Sequence, residues 1–343
     1  MTIEPSNTRD FDTLSHDEQL GCLAELSRVA VRSYDLPADV AVDMINLSEN
    51  ATYKVEDPAS GRRWALRVHR DGYHSDQAIA SELAWLIDLR ASDVVTTPVP
   101  VAGLDGELIQ KVGHPSMPRP RNVVLFEWES GVEPGVDEDL RKPFELLGEV
   151  TARMHRHVQS WQKPAGFERL TWDFDTSLGD HPHWGRWRDG MGMDAAKLDL
   201  FQNTVDLIGH RLEAFGKSRE RFDLIHCDLR LANLLVDGSQ VKVIDFDDSG
   251  FSWLMYDAAT PVSFYEHLPE VPDLVRHWLA GYRRIIDLPQ ADEDEIPTFI
   301  MLRRLLLVAW IGSHSETELA QEMGVQYTAD TGPLCQDYLK RFG

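Results

Sequence analysis

Residues 226–233 read His-Cys-Asp-Leu-Arg-Leu-Ala-Asn, and residues 243–247 read Val-Ile-Asp-Phe-Asp. Together they hold a carboxylate that can accept a proton from a hydroxyl, Asp228, and two oxygen-bearing side chains suited to a metal, Asn233 and Asp245. Transfer of a phosphoryl group from a metal-bound nucleotide needs such a set of groups. The sequence therefore predicts a kinase.

Apolar runs accompany both segments. Residues 222–225 are predicted to form a strand that leads into the first, and residues 241–246 a strand that carries the second. The turn signal Asp237-Gly238-Ser239 lies between the apolar run Leu234-Leu235-Val236 and the second strand. Because a tight turn between two strands brings their outer ends together, we expect Asn233 and Asp245 to lie close to each other.

The residue types suit the chemistry. Mg²⁺ prefers oxygen ligands, so Asn233 and Asp245 with two phosphate oxygens would bind it. Asp228 lies on the intervening loop, where it would accept the proton of an incoming hydroxyl. A His-x-Asp pair alone is a weak signal, because a His beside a loop Asp is usually its hydrogen-bond partner. The offset of Asn233 and the apolar-flanked second carboxylate favour the catalytic interpretation.

The two segments resemble the catalytic core of the aminoglycoside phosphotransferase and choline kinase family, a branch of the protein-kinase-like fold. The resemblance is nearest to homoserine-kinase-type and stress-response-kinase-like members. It implies that Asp228 is the catalytic base and that His226 is a structural residue that holds the loop. It also implies that Asn233 and Asp245 bind the metal. Cys227 replaces the small residue, commonly Gly, of many members and is interpreted as a packing residue.

Two further residues of this region are candidates for the site. Arg230 stands where eukaryotic-type protein kinases often have a Lys that reaches the transferred phosphate, and where many small-molecule kinases of the family have His. Arg230 is therefore a candidate phosphate contact. Asp247 is a candidate second metal ligand, with hydrogen bonding to the loop as the alternative. The resemblance implies ATP and Mg²⁺ as cofactors.

The N-terminal half is expected to supply the nucleotide-binding lobe. Residues 40–47, 53–56 and 63–69 alternate like strands of an antiparallel sheet. The sequence there has no G-x-G-x-x-G, so phosphate contacts would come from backbone N–H groups and from hydroxyls of the first loop. The candidate nucleotide-binding residues of that loop are Ser48, Asn50 and Thr52.

A charged pair is predicted next to this loop. Arg67 occupies the lysine position of the apolar-x-apolar-Lys strand of kinases. A guanidinium is permanently charged and binds two oxygens at once, so it can hold nucleotide phosphates. Glu82, on the helical pattern that follows, is the expected ion-pair partner of Arg67. Without that partner, Glu82 would be interpreted as a solvated helix residue.

An apolar strand over residues 122–131 is expected to end the first lobe, and its alternative interpretation is a buried edge strand. The resemblance implies that the adenine edge is held by the linker residues Glu127, Trp128 and Glu129. The resemblance thus implies an α+β fold class that is bilobal and protein-kinase-like. A small lobe, residues 1–128, has a five-stranded antiparallel sheet, a helix and an N-terminal helical extension. A large, mostly helical lobe, residues 129–343, has the catalytic loop and the acceptor site.

Helical patterns dominate the second lobe. They cover residues 144–155, 197–215, 253–265, 272–286 and 295–311. Residues 172–187 are instead rich in Trp, His and Gly and include His181-Pro182-His183. Two His without a third ligand are interpreted as a loop feature. The aromatic residues would line a pocket for an amine-bearing substrate through cation–π contacts, or fill the core.

Composition limits the partners and the location. The chain has 343 residues, 43% of them hydrophobic, and a formal net charge of −23. So acidic a surface disfavours nucleic acid and anionic membranes and is compatible with a cationic acceptor. Three scattered cysteines favour a reducing compartment. Residues 1–13 have no apolar signal core, and Arg303 and Arg304 interrupt the most apolar helix, so we expect a cytoplasmic protein.

The leading hypothesis is an ATP-dependent kinase that phosphorylates a small hydroxyl compound, such as an amino alcohol, a homoserine-like acid, a sugar or an aminoglycoside. One alternative is a protein Ser/Thr kinase of the stress-response-kinase type, although no activation segment with an Ala-Pro-Glu ending is present. A second alternative is a nucleotide-binding scaffold without turnover. All chemical positions are filled, which favours an enzyme.

Overall fold

The chain forms two compact units. In the described residues, the first unit comprises 11–87 and 98–129, and the second comprises 88–97 and 130–343. The structure, a computed structural model, describes residues 11–135, 138–238, 240–315 and 317–343. The start of the predicted N-terminal extension, residues 1–10, and Ser239 of the predicted turn lie outside the described residues.

The first unit is built on an antiparallel sheet. Its strands are β1 (Ala41–Leu47), β2 (Ala51–Glu56), β3 (Arg63–Val68), β4 (Pro100–Val101), β5 (Gln110–Val112) and β6 (Arg121–Glu127). The order is β1-β2-β3-β6-β4, and β5 also pairs with β6. The antiparallel sheet and the helical second unit agree with the predicted α+β fold class.

The number of strands differs from the prediction, because the sheet has six strands and not five. β4 pairs with Leu125 and Phe126, and β5 pairs with residues 121–123. Two short strands thus follow each other along one edge of β6. Segments of two and three residues are too short to produce a recognisable alternation of apolar and polar side chains.

Two helices complete the first unit. α1 (His16–Ala30) begins at Ser15, whose hydroxyl and the carboxylate of Glu18 form a capping box. Its buried face, which includes Leu26, joins a core formed by Tyr53, Val55 and other apolar residues of the sheet. α2 (Asp76–Ala91) carries Glu82. Burial of this apolar surface is the main favourable contribution to folding of the unit.

The second unit is mostly helical. Its helices are α3 (Arg141–Ser160), α4 (Phe174–Ser177), α5 (Ala195–Phe215), α6 (Val271–Tyr282), α7 (Gln290–Glu293), α8 (Ile296–Ser313) and α9 (Glu318–Phe342). Its strands are β7 (Leu170–Thr171), β8 (Phe222–Ile225), β9 (Leu234–Asp237), β10 (Gln240–Val243) and β11 (Gly250–Trp253). β9 and β10 form an antiparallel pair, and β11 lies between β7 and β8.

The predicted helix over residues 253–265 is wrong. The segment forms two short 3₁₀ helices, Leu254–Ala258 and Thr260–Val262. Pro261 has no amide hydrogen to donate, and its ring disfavours α-helical geometry at the residue before it. Residues 253–263 are buried throughout, so the apolar composition of the segment reflects burial and not the period of an α-helix.

α8 is the core helix of the second unit. The stretch Gln290–Ser313 is long and apolar enough to cross a membrane, the one such stretch in the described part of the chain, yet 78% of its apolar window is buried. Arg303 and Arg304, predicted to interrupt the most apolar helix, lie within α8, which continues through both. Both arginines are buried inside the protein and paired.

Two glycines allow α3 and α6 to pack closely. A Cβ atom on Gly148 of α3 would lie 1.9 Å from the carbonyl oxygen of Trp278, and one on Gly281 of α6 would lie 1.8 Å from that of Glu145. Each glycine therefore faces the backbone of the other helix. Backbone atoms cannot move aside as a flexible side chain can, so the two axes are held at a separation that only glycine permits.

We predict that Gly148→Ala lowers the free energy of unfolding by about 2 kcal/mol, because the helices must separate. The matched control is Gly21→Ala in α1, where an added Cβ has no atom within 4 Å. That variant should gain about 0.5–1 kcal/mol from helix propensity. Urea unfolding of both variants checks the pair, and a stabilised Gly148→Ala protein would contradict the packing described.

Candidate active site

Asp228 is the most heavily contacted of the predicted site residues. Its side chain is buried, with 8% exposed. Nδ2 of Asn233 donates to both the carbonyl oxygen and Oδ2 of Asp228, at 2.8 Å each. Nε of Arg230 donates to Oδ2 at 3.0 Å, and Nη2 of Arg303 donates to Oδ1 at 2.5 Å. Both carboxylate oxygens are therefore held.

These contacts control the charge of Asp228. Burial by itself raises the pKa of the Asp228 carboxyl, but the positive charges of Arg230 and Arg303 outweigh it and lower the pKa below its ordinary value. The group is thus a carboxylate at neutral pH and a weak base. Its arrangement suits the orientation of a hydroxyl more than strong proton abstraction.

His226 connects the catalytic loop to the end of β10. Its Nε2 lies 3.2 Å from the carbonyl oxygen of Ile244, and the backbone N–H of Asp228 donates to its Nδ1 at 3.3 Å. A tautomer with the proton on Nε2 satisfies both contacts. The ring also lies against Phe246, with centroids 4.6 Å apart. This geometry is that of a residue that holds the loop.

Asp257 holds the backbone of the loop that contains His226 and Asp228. Its carboxylate accepts hydrogen bonds from the backbone N–H groups of His226, at 3.2 Å, and Cys227, at 2.9 Å. Nε2 of His155 lies 3.1 Å from the same carboxylate, and Nδ1 of His155 lies 3.0 Å from the hydroxyl of Tyr282. Cys227 has a φ of 66°, a left-handed conformation that these contacts hold in place.

The β9–β10 pair brings the two predicted metal ligands together. Leu234 pairs with Val243, and the N–H of Ile244 donates to the carbonyl oxygen of Asn233 at 2.9 Å. Asp245 follows directly, is exposed and has a φ of 58°. This left-handed residue ends the extended run, so β10 stops before the predicted end of the strand. Asn233 and Asp245 therefore lie at the same end of the pair.

The residues present fit a divalent metal. Because Nδ2 of Asn233 is turned toward Asp228, its amide oxygen is the atom available for a cation. Asp245 and Asp247 add carboxylate oxygens. In the described ranges no group of three or more His, Cys, Asp or Glu side chains could hold a metal alone. Phosphate oxygens and waters would complete the coordination, as Mg²⁺ prefers.

Arg169 supports the segment that contains Asp247. Its Nε donates to the carbonyl oxygen of Ser249 at 2.6 Å, and its Nη2 donates to those of Phe246, at 3.4 Å, and Asp247. Asp247 itself is buried. One guanidinium thus fixes the backbone just after Asp245. No local sequence pattern indicates this role, because Arg169 lies far upstream in an irregular segment.

In the first unit, Arg67 and Glu82 form the predicted ion pair. Nη2 of Arg67 lies 2.5 Å from Oε1 of Glu82, and both side chains are buried. The guanidinium also lies over the ring of Phe126, 5.2 Å from its centroid. Thr52 pairs with Arg67 across β2 and β3, so its side chain is a neighbour of this cation on the sheet.

The other predicted nucleotide-binding residues of the first unit differ in how far they are buried. Oδ1 of the buried Asn50 accepts from the backbone N–H of Arg70 at 3.1 Å, and the N–H of Ser48 donates to the carbonyl oxygen of Asn50 at 3.1 Å. Asn50 therefore shapes the loop. Glu127 and Trp128 are exposed, and Glu129 is half-buried. Their roles toward a nucleotide stay predictions.

Aromatic residues surround the arginines beside Asp228. The guanidinium of Arg303 lies 5.3 Å from the ring centroid of Trp184, and that of Arg230 lies 5.8 Å from the ring centroid of Phe264. Cation–π contacts were predicted for the Trp-rich stretch with a substrate amine as the cation. In the structure the cation over Trp184 is the protein's own Arg303.

The two His of that stretch contact different groups. Nδ1 of His181 lies 2.8 Å from Oδ2 of Asp175, and Nε2 of His183 lies 3.0 Å from the carbonyl oxygen of Thr171. The ring of His183 also packs edge-on against Trp172. Each imidazole therefore has its own partner in the loop structure.

The sequence missed three residues of the site. Arg303 was interpreted only as an interruption of an apolar helix, although an arginine inside such a helix must find a buried partner. Asp257 has a similar signal, a lone carboxylate in the apolar run Tyr256-Asp257-Ala258-Ala259. Arg169 has none that we can identify. The first two could have been found by asking which buried charges require partners.

The chain is similar to several known proteins. Residues 46–293 match the family model described as phosphotransferase enzyme family. The chain is 26% identical over 312 residues to the amicoumacin kinase of Bacillus subtilis (strain 168), covering 87% of this chain and 86% of that protein. It is 44% identical to a microcompartment-associated aminopropanol kinase of solved structure, with a TM-score of 0.85, covering 93% and 98% of the two chains.

More distant structures share the fold. An amicoumacin kinase in complex with AMP-PNP, Ca²⁺ and Ami has a TM-score of 0.73 at 20% identity and covers 93% of this chain and 96% of its own. The predictions of a protein-kinase-like fold and of an ATP-dependent kinase acting on a small-molecule hydroxyl are confirmed. The chain belongs to the phosphotransferase enzyme family.

Proposed function

We propose that this kinase phosphorylates the hydroxyl of a short amino alcohol, using ATP and Mg²⁺, in the cytoplasm. The observation that carries the catalytic part is the buried Asp228 carboxylate held by Asn233, Arg230 and Arg303. The acceptor class is supported by 44% identity to an aminopropanol kinase over 93% of the chain. The three cysteines are free thiols, which supports a reducing compartment.

Asp228 orients the acceptor hydroxyl and receives its proton as the new bond to phosphorus forms. Arg230 can leave Oδ2 to contact the transferred phosphoryl group, because its side chain is 28% exposed. Asn233, Asp245 and Asp247 offer oxygens to the metal. A bound Mg²⁺ would neutralise phosphate charge and hold the phosphates in place.

Residues of the first unit bind the nucleotide in this proposal. Arg67, fixed by Glu82, binds phosphate oxygens, and the loop from Ser48 to Thr52 contributes backbone N–H groups. The linker residues Glu127 to Glu129 hold the adenine edge through backbone groups. Glu82 acts through Arg67, because its Oε1 is in contact with that guanidinium.

We predict that Asp228→Asn lowers kcat at least about 100-fold, because the amide cannot take the hydroxyl proton and has one acceptor oxygen where the carboxylate has two for Arg303, Arg230 and Asn233. The matched control is Asp223→Asn, a buried aspartate on β8 that pairs with Lys163. ADP formation in the presence of the acceptor is measured for both. An Asp228→Asn enzyme with wild-type kcat would contradict the assignment of the base.

We predict that Asp245→Asn raises the Mg²⁺ concentration needed for half-maximal activity about tenfold or more, because a charged ligand is lost. Removal of divalent ions with EDTA should abolish turnover of the wild type, and Mg²⁺ should restore it. Asp237→Asn, an exposed aspartate at the end of β9, serves as control. An unchanged Mg²⁺ requirement in Asp245→Asn would exclude this residue as a ligand.

We predict that 1-amino-2-propanol is a better acceptor than 1,2-propanediol by at least about tenfold in kcat/KM, or about 1.4 kcal/mol, because only the former carries an ammonium group. Ethanolamine, homoserine, a sugar and an aminoglycoside complete the panel. A preference for the uncharged diol or for homoserine would contradict the proposed acceptor class. Transfer of labelled phosphate to protein instead would favour the protein-kinase alternative.

A further inference from the structure

Arg303 is a buried arginine of α8 that reaches the catalytic carboxylate. Its side chain is 1% exposed. Each nitrogen has a separate partner: Nη2 donates to Oδ1 of Asp228 at 2.5 Å, Nε to the hydroxyl of Ser263 at 3.0 Å, and Nη1 to that of Tyr256 at 3.3 Å. With Trp184 against one face, the guanidinium has a single orientation.

The two oxygens of Asp228 are held in different ways. Oδ2 contacts Asn233 and Arg230, and the side chain of Arg230 is 28% exposed. Oδ1 contacts Arg303, whose side chain is 1% exposed and comes from the core helix of the unit. Arg230 can therefore move without disturbing the core, whereas Arg303 cannot.

The neighbouring Arg304 shows which contacts a buried arginine makes when its role is purely structural. Arg304 is equally buried, and it donates to Glu266 at 2.7 Å, to the hydroxyl of Thr331 at 2.7 Å and to the carbonyl oxygen of Tyr327 at 2.9 Å. Both arginines thus satisfy a buried charge with one carboxylate and two further acceptors. Only the carboxylate that pairs with Arg303, that of Asp228, belongs to the candidate active site.

We propose that Arg303 is a positioning residue that fixes the carboxylate plane of Asp228 through Oδ1, so that the acceptor hydroxyl meets it in one orientation. This inference rests on the proposed function of Asp228. Arg303 contacts no substrate in this arrangement and acts through Asp228 alone. Its loss should therefore affect the chemical step and leave substrate binding nearly unchanged.

Free rotation of the Asp228 carboxylate should change how often water, and not the alcohol, receives the phosphoryl group. In productive transfer, the acceptor oxygen bonds to the γ-phosphorus of ATP, the bond to the ADP oxygen breaks, and the hydroxyl proton passes to Asp228. Water can replace the alcohol in the same step, which yields inorganic phosphate. An oriented carboxylate favours the bound alcohol over water. If the carboxylate of Asp228 is no longer held by Arg303, a smaller fraction of the ADP formed should be accompanied by phosphorylated acceptor.

The test compares Arg303→Lys with Arg304→Lys, using 1-amino-2-propanol and ATP with Mg²⁺. We expect kcat of Arg303→Lys to fall about 100-fold, with KM values for both substrates within about twofold of wild type. The ratio of phosphorylated acceptor to ADP should also fall. Arg304→Lys should lose thermal stability to a similar extent and keep the wild-type ratio. This ratio does not depend on the fraction of folded protein.

Chemical rescue provides a second measurement. Methylguanidinium should restore the product ratio and part of kcat in Arg303→Ala, whereas methylammonium, which lacks the planar fork, should not. Equal ratios in Arg303→Lys and Arg304→Lys with an active wild type overturn the inference alone. A wild type that phosphorylates no alcohol of the panel overturns the proposed function together with it.

Discussion

The second unit depends on the burial of one carboxylate among permanent positive charges. A carboxylate taken out of water is costly unless it is paired and hydrogen-bonded. Asp228 meets this condition with Arg303 and Arg230, while Asn233 donates to it from the end of the loop. The core helix, the catalytic loop and the start of β9 are therefore tied to the same group. Loss of Arg303 removes the contact that holds Oδ1 of this buried carboxylate.

Backbone strain is concentrated near this group. Four non-glycine residues in the described ranges have a positive φ, and three of them are Cys227, Asp245 and Phe264. Each such conformation costs about 1–3 kcal/mol and persists only where the surroundings enforce it. Asp257 does so for Cys227, by accepting its backbone N–H. The left-handed residues allow turns that an extended chain could not make. These turns determine where the side chains of Asp228 and Asp245 lie.

The sequence was informative where the signal is local. The bounds of β8 match the prediction, and the Arg67–Glu82 pair was expected because each residue lies on an element with clear periodicity. Contacts between distant positions were missed, since 75 residues separate Asp228 from Arg303 and 30 separate Cys227 from Asp257. Local pattern cannot indicate which of many charged residues meets a given partner. The short strands β4 and β5 were missed for the opposite reason, because they have too few residues to form a pattern.

Cys227 gives the catalytic loop a chemical property that a glycine there would not. Its thiol is 2% exposed, and burial, with the nearby negative charge of Asp257, raises its pKa well above the ordinary value for cysteine. Peroxide and electrophiles react with thiolates and not with buried thiols. The loop therefore contains a sulfur atom one residue before Asp228, the proposed catalytic carboxylate, and is nonetheless protected from oxidation at that sulfur.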